Sequence, residues 1–96
     1  MAATTSKGTG GAGTLRTKLV QAVRHSLNLP QLRVRVRPGR ASGEWFVCLE
    51  QGRARSEWLA LDAGSVAVVK KVGLLPPIQL GVFRLAYAAL QEKKKP

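Results

Sequence analysis

The segment LRVRVRPGRASGEWFVCLEQGRARSEWLAL, residues 32–61, decides the fold class. Apolar and basic residues alternate over 32–37, which is typical of a β-strand with one buried face. Residues 44–50 are apolar through the middle, as in a central strand, and a third strand is predicted at 54–61. A proline and two glycines lie in the connection at 38–43. Short connections between the three strands predict an antiparallel meander.

Helical spacing of apolar residues flanks this meander on both sides. Residues 14–27 predict a first helix, with Thr14 as its N-cap. A last helix is predicted over 77–91, because proline is well tolerated in the first turn of a helix. The order of elements is therefore α-β-β-β-α-α, an α+β fold with the helices on one face of the sheet.

The stretch at 62–73 has two interpretations. Asp62 and Ser65 are both suitable N-caps for a helix that ends near Gly73. Valine favours strands over helices, so a fourth strand over 66–72 is the alternative interpretation.

The chain divides into an arm, one domain and a tail. Residues 1–13 are small, polar and rich in glycine, which predicts a flexible basic arm. The same composition also fits an organellar targeting segment. Residues 14–91 are predicted to form a single small domain, and 92–96 a lysine-rich solvated tail.

The charge balance indicates an anionic partner. Sixteen Lys and Arg residues against five Asp and Glu give a formal net charge of +11, and residues 1–43 contain no acid. Such a charge repels itself in the folded state, and nucleic acid is the commonest partner that compensates for it.

Arginines on the first strand and in the neighbouring connections are the candidate phosphate contacts. The apolar residues of 32–37 face the core, so the alternating arginines face away from it, about 6.6 Å apart. A planar guanidinium donates two hydrogen bonds to a phosphate at once. The predicted nucleic-acid-binding residues are Arg33, Arg35, Arg37, Arg40, Arg53 and Arg55. The alternative is an edge strand protected from aggregation by its charges.

Two tryptophans are candidates for base stacking. Trp45 and Trp58 lie on the second and third predicted strands, and either could stack on a base if it shared the arginine face. Packing in the core or across strands is the alternative for both.

Catalysis and metal binding have little support in the sequence. The single histidine, His25, and the single cysteine, Cys48, lie on different predicted elements, and the five acids form no recognisable catalytic motif with them. No zinc-ligand spacing or phosphate-binding glycine loop is present. We therefore predict a non-enzymatic protein without a cofactor or metal, in an intracellular reducing compartment: the cytoplasm, the nucleus or an organelle such as the mitochondrion.

The order helix, three-stranded meander, helix over 14–73 is similar to that of the double-stranded RNA-binding domain and of the small Alu-domain subunits of the signal recognition particle. Both families bind RNA. The lysine-rich signature that begins the last helix of the first family is replaced here by Asp62-Ala63-Gly64-Ser65. No binding residue is transferred from either family.

The functional prediction is an RNA-binding component of a ribonucleoprotein such as a ribosome, in contact with the phosphate backbone. The alternative is a protein-interaction subunit of a larger assembly, inside or outside an organelle, or a homodimer, that docks through the apolar C-terminal segment. A membrane is not the expected partner. The candidate partner-binding residues of the alternative are Ile78, Val82, Phe83 and Tyr87.

Overall fold

A computed structural model describes the backbone of residues 2–94 and the side chains of residues 15–93. It has three helices and four strands in the predicted α+β order. The helices are α1 (Ala2–Leu27), α2 (Ala63–Val72) and α3 (Pro77–Lys94). The strands are β1 (Arg33–Pro38), β2 (Trp45–Gln51), β3 (Ala54–Arg55) and β4 (Leu59–Leu61).

Helix α1 begins at Ala2 rather than after Thr14, so it extends through most of the segment predicted to be an arm. No proline interrupts residues 2–27, and a helix once formed gains one hydrogen bond per added residue. The side chains of residues 1–14 lie outside the described residues, and the mobility of the arm stays a prediction. The helix ends where Asn28 adopts a left-handed φ of 60° and the Leu29 N–H donates to Arg24 O.

The sheet is antiparallel, with β2 in its centre. β1 pairs with one edge of β2, while β3 and β4 both pair with β2 on the other side. The third predicted strand is thus divided into two short ones. Glu50 lies opposite Arg55, whereas Val47 lies opposite Leu59, so one extra residue is accommodated between the two pairs. This β-bulge, residues 56–58, reverses which face of the sheet the following side chains occupy.

Ser56 holds the bulge against β2. Its backbone N–H donates to Leu49 O at 2.8 Å, and its side-chain Oγ accepts from the Leu49 N–H at 2.9 Å. The serine hydroxyl therefore replaces the backbone acceptor that a regular strand would supply at this point.

Helix α2 settles the open assignment of residues 66–72 in favour of a helix. Its N-cap Asp62 accepts a hydrogen bond from Ser65 N at 2.8 Å. At the other end Gly73 has a φ of 74°, and its N–H donates to Val69 O at 2.8 Å. Defined caps at both ends satisfy backbone groups that a valine-rich helix otherwise leaves exposed, and they offset the low helix propensity of valine.

The cap at Asp62 makes stability depend on pH in the acid range. Hydrogen bonds from Ser65 hold the pKa of the Asp62 carboxyl below its ordinary value of 3.8. A depressed folded-state pKa adds stability that is fully present above the unfolded value and is lost as the pH falls through the folded value.

We expect Asp62→Asn, which keeps a capping side chain without the charge, to remove this dependence. Thermal unfolding followed by circular dichroism from about pH 6 to about pH 2 should show the wild type losing more stability below pH 3.8 than the variant loses. Glu57→Gln, at an exposed acid, is the matched control and should follow the wild-type curve. Parallel curves for the wild type and Asp62→Asn would contradict the assignment.

Helix α3 closes the core and also extends beyond it. Phe83 and Leu90 are fully buried against the sheet and α1. The helix continues to Lys94, so the first residues of the predicted tail are helical, and Lys95 and Pro96 lie outside the described residues.

One face of the sheet carries the apolar core cluster, while the buried Cys48 lies on the other face, opposite Arg35. The buried apolar residues of the strands and helices form a single cluster: Leu19, Ala22, Val23, Leu32, Val34, Trp45, Val47, Leu49, Leu61, Val66, Val69, Leu75, Phe83 and Leu90. Since all of the strand members point toward the helices, the opposite face of the sheet has no helix over it among the described elements. We call this opposite face the arginine face, defined by Arg33, Arg35, Arg37 and Arg55.

Candidate functional site

Strand β1 positions three guanidinium groups on the arginine face. Leu32 and Val34 are buried in the core, while Arg33, Arg35 and Arg37 are exposed. The period of two in a strand produces this division. The predicted arrangement of the three arginines is therefore present in the structure.

Glu50 is the one acid on the arginine face. Its Oε2 lies 2.9 Å from Arg35 Nε and 3.6 Å from Arg55 Nε. The Glu50 side chain is 8% exposed, and its Oε2 is shielded from solvent without a well-aligned hydrogen bond. The contact is thus an ion pair in which one carboxylate lies between two guanidiniums. One negative charge among four positive ones leaves the face strongly cationic.

Aromatic rings contact the arginine face at the end of β1 that leads into the β1–β2 turn. The guanidinium of Arg37 lies 4.2 Å from the centroid of the Trp58 ring and 5.6 Å from that of Phe46. Such cation–π contacts fix the orientation of a long side chain. Trp58 remains 37% exposed and shares this region with the arginines, as the stacking prediction required.

The stacking prediction is wrong for Trp45. Its side chain is 8% exposed and belongs to the core, because it shares the helix-facing side of β2 with Val47 and Leu49. The guanidinium of Arg16 covers its ring from the helix side, at 5.3 Å from the centroid. A base has no access to a ring packed in this way.

The turn arginines lie at opposite ends of the sheet. Arg40 is in the β1–β2 turn, which Glu44 braces by accepting from the backbone N–H groups of Arg40 and Ala41 at 3.1 and 3.2 Å. Arg53 is in the β2–β3 turn, beside Gly52, which has a φ of 62°. Within residues 15–93 the side chains of Arg33, Arg40 and Arg53 make no hydrogen bond or ion pair.

Two further arginines, on α1, flank the outer edge of β1. Arg16 Nη1 donates to Val36 O at 2.9 Å, and Arg24 Nε donates to Leu32 O at 2.7 Å. The two arginines are eight residues apart on a helix, about 12 Å, and the two carbonyls are four residues apart on a strand, about 13 Å. The two spacings match, and α1 runs antiparallel beside β1. Each arginine satisfies an edge carbonyl and keeps other N–H groups for a ligand.

A groove of about 520 Å³ follows this edge. It is lined by Arg16, Arg24, Arg35 and Trp58 together with apolar residues of β1 and α1. Three guanidiniums and an exposed indole therefore share one continuous surface, and the groove extends the arginine face around the edge of the sheet.

Sequence reasoning missed Arg16 and Arg24 as site residues. Helical periodicity places both on the polar side of α1, where basic side chains are ordinarily solvated. Their spacing was a usable signal, because eight residues along a helix and four residues along a strand span nearly the same distance, about 12 and 13 Å. Recognising it requires knowing that α1 lies beside β1.

The candidate partner-binding residues on α3 separate into two groups. Ile78 is 82% exposed and Val82 is 43% exposed. Phe83 is fully buried in the core, so its prediction as a partner-binding residue is wrong. Tyr87 is half-buried and packs against the core. Phe83 is adjacent to Val82 in sequence, but one residue step on a helix is about 100°, which turns it to the opposite side.

Metal binding and membrane crossing find little in the residues that the structure describes. No cluster of three or more His, Cys, Asp or Glu side chains among residues 15–93 could hold a metal ion. No single helix there is long and apolar enough to cross a membrane, although α2 and α3 together meet that length and composition as a pair bent by 99°.

Comparison with known proteins gives no relative. No family model, no curated protein and no solved structure matches this chain. The likeness to the two RNA-binding families therefore stays at the order of elements, and the function is argued from the geometry of the site.

Proposed function

We propose that this protein binds RNA without catalysis, through the phosphate backbone, as a small structural or accessory component of a ribonucleoprotein such as a ribosome. The observation that carries the proposal is the exposure of the arginine face, which has one acid and no covering helix among the described elements. An intracellular reducing compartment agrees with the single buried Cys48.

The contacts with phosphate come from Arg33, Arg35, Arg37, Arg40, Arg53 and Arg55, and Arg16 and Arg24 extend them along the groove. Alternate arginines on β1 are about 6.6 Å apart, nearly twice the 3.4 Å axial rise per phosphate in one strand of duplex DNA, so the row is of the scale of a phosphate backbone. Arg35 and Arg55 are held by Glu50, and Arg37 by Trp58. Side chains that are already ordered lose less entropy on binding.

Single-stranded RNA fits this surface better than a duplex does. A sheet face with an exposed indole can stack an unpaired base, and Trp58 is the side chain that could do so. The described face offers few amide or carboxylate groups to read a base edge, so we expect recognition of the backbone and stacking rather than of sequence.

Binding should weaken steeply with salt. Each phosphate contact on a single strand contributes about 0.7 to the slope of log K against log salt concentration, so six contacts predict a slope of about −4. Fluorescence anisotropy with an unstructured RNA of mixed sequence, measured from about 0.05 to 0.5 M salt, gives this slope.

The controls for the salt series are a duplex RNA and a DNA strand of the same length and sequence. The proposal expects the single-stranded RNA to bind most tightly. A slope near zero, or no binding at the lowest salt, would refute the proposal. Equal binding of the DNA strand would retain phosphate binding but refute the preference for RNA.

A further inference from the structure

Helix α3 carries an apolar stripe that the fold leaves in solvent. Ile78 is 82% exposed, Leu85 is 75% exposed and Val82 is 43% exposed, and Ala89 continues the same line. Successive members are four, three and four residues apart. An alternation of four and three residues is the pattern of a heptad repeat, which allows two helices to pack along a common seam. Three large apolar side chains in one row are more than the scattered exposure normal for a monomer.

Beside the stripe lies a shallow groove of about 370 Å³. Its lining includes Leu59 of β4, the stripe residues Val82, Leu85 and Ala89, the small Ala86, and the charged Glu57 and Lys93. The lining is mostly apolar. The protruding Ile78 and this groove are thus a convex and a concave feature on the same helix.

We propose that α3 pairs antiparallel with α3 of a second copy of this chain, around a two-fold axis. The spacing four, three, four reads the same in both directions, so the stripe is complementary to itself when one helix is reversed. In this register Ile78 lies against Ala89 of the other copy, and Val82 against Leu85. Each copy then inserts Ile78 into the groove of the other, and the contact is made twice.

Gly81 supports this register independently. It lies exposed in the middle of α3, and a Cβ built there would meet nothing within 4 Å. Its φ is not among the positive ones, so neither backbone conformation nor packing within the chain requires a glycine. A glycine in a helix interior costs about 1 kcal/mol relative to alanine. In the proposed register Gly81 lies on the same flank of the contact as Ala88 of the other copy, and two small residues let the helices approach closely.

Charge favours a second copy over an acidic partner. The formal net charge of +11 opposes contact between two copies at the arginine face. Residues 77–83 contain no charged side chain, and Arg84 is the only charge between Ile78 and Ala89. An acidic protein would be drawn to the arginines instead. The uncharged stripe is where two strongly basic chains can meet with least repulsion.

The expected affinity is modest. In this register the two helices overlap over residues 77–90, about 21 Å, and a contact strip about 10 Å wide covers about 210 Å² on each copy, with a further contribution from the groove. Standard interfaces cover about 800 Å² per partner. We therefore expect a dimer with a dissociation constant on the order of 10 µM.

Analytical ultracentrifugation of the full chain without nucleic acid tests the proposal. Samples from about 1 to 500 µM, in about 0.5 M salt to screen repulsion, should shift from the 10.3 kDa monomer to twice that mass. Ile78→Asp and Leu85→Asp should each weaken the dimer by at least about 30-fold. Val72→Asp, at a side chain that is 60% exposed on α2, is the control and should leave the equilibrium unchanged.

Gly81→Leu should change the stability of the monomer and the affinity of the dimer in opposite directions. It should raise the thermal stability of the monomer, because leucine favours a helix more than glycine does. It should also weaken dimerisation, because the larger side chain separates the two helices. A variant with a more stable monomer and an undiminished dimer would refute the role assigned to Gly81.

Engineered disulfides test the antiparallel register. The double variant Ile78→Cys/Ala89→Cys should form an intermolecular disulfide on oxidation, while each single variant should not, because the matching positions on the two chains are about 16 Å apart. Cys48 is buried and does not compete. Cross-linking of Ile78→Cys alone would indicate parallel helices and refute the register.

A wild type that remains monomeric at 500 µM overturns the dimer, and a different protein or a lipid surface then becomes the occupant of the stripe. The same result follows if Ile78→Asp and Leu85→Asp leave the equilibrium as it is. Dimerisation through α3 does not depend on binding of RNA. The dimer can be absent while the protein binds RNA, and the dimer can form while RNA does not bind.

Discussion

Replacement of Arg33, Arg40 and Arg53 together by glutamate is expected to weaken binding of single-stranded RNA at least about 100-fold at 0.1 M salt. Each lost phosphate contact makes the slope of log K against log salt concentration shallower by about 0.7. Three lost contacts therefore produce a difference of about 100-fold in affinity when the salt concentration falls tenfold, from 1 M to 0.1 M. Repulsion by the three new carboxylates adds to it. The slope itself should fall from about −4 to about −2.

These three arginines are chosen because the fold does not use their side chains. They make no hydrogen bond or ion pair within residues 15–93. Arg35, by contrast, lies against the buried Glu50, and a glutamate there would bring two carboxylates together. Arg37 covers Trp58 and Phe46. Changing either of these would mix loss of binding with loss of folding.

The matched control is Lys70→Glu/Lys71→Glu/Arg84→Glu. Both triple variants lower the formal net charge of +11 by six, but these three residues are on the helices, away from the arginine face. The control should retain affinity within about fivefold, after circular dichroism has shown that both variants fold. Equal loss in both variants would mean that total charge governs binding, and the assignment to the arginine face would be wrong.

Replacement of Phe83 by alanine is expected to reduce the free energy of unfolding by about 3–5 kcal/mol. Phe83 is fully buried, and it is the largest of the side chains with less than 2% exposure. The change removes apolar contacts with the sheet and leaves a cavity that the surrounding core closes only in part. Since domains of this size have about 5–15 kcal/mol of stability in total, the variant should be partly unfolded at 37 °C. Urea denaturation followed by circular dichroism gives the measurement.

Leu85→Ala on the same helix is the control for Phe83→Ala. Leu85 is 75% exposed, so its replacement should change the free energy of unfolding by no more than about 0.5 kcal/mol. The comparison also decides between the two roles considered for Phe83. A partner contact would leave the isolated chain as stable as the wild type after Phe83→Ala, and that outcome would contradict its place in the core.

The arrangement of the arginines on β1 could be predicted from the sequence because alternation is a local property. Each of Arg33, Arg35 and Arg37 is separated from the next by one apolar residue, so they share a face whatever the sheet packs against. The end signals of α2 were also local, at Asp62 and Gly73. The order of elements follows from such local patterns and from short connections.

The sides of α3 could not be predicted in the same way. Ile78, Val82 and Leu85 form one apolar row, and Phe83 with Leu90 forms another. Both rows have helical spacing, so periodicity alone does not say which one faces the core. The choice depends on how α3 meets the sheet and α1, which is a property of the whole fold. The misplacement of Phe83 has this cause.

The bulge was in principle visible in the sequence. In an unbroken strand over 54–61, Arg55, Leu59 and Leu61 would lie on the same face, since their numbers differ by even steps. Because Arg55 is in solvent and the two leucines face the core, the strand must contain one extra residue between Arg55 and Leu59 that moves the leucines to the other face. The bulge at 56–58 supplies it, and Leu59 and Leu61 pair with the core residues Val47 and Trp45.

The same bulge also affects how readily the protein aggregates through the edge of its sheet. At high salt the Debye length falls to about 3 Å, and charge no longer keeps concentrated molecules of this basic chain apart. A regular edge strand would then serve as a template for sheet growth from molecule to molecule. The outer edge beyond β2 is instead two strands of two and three residues, with a break at 56–58. Solutions in concentrated salt should therefore stay free of fibrils, with the irregular strand as the barrier once electrostatic repulsion is gone.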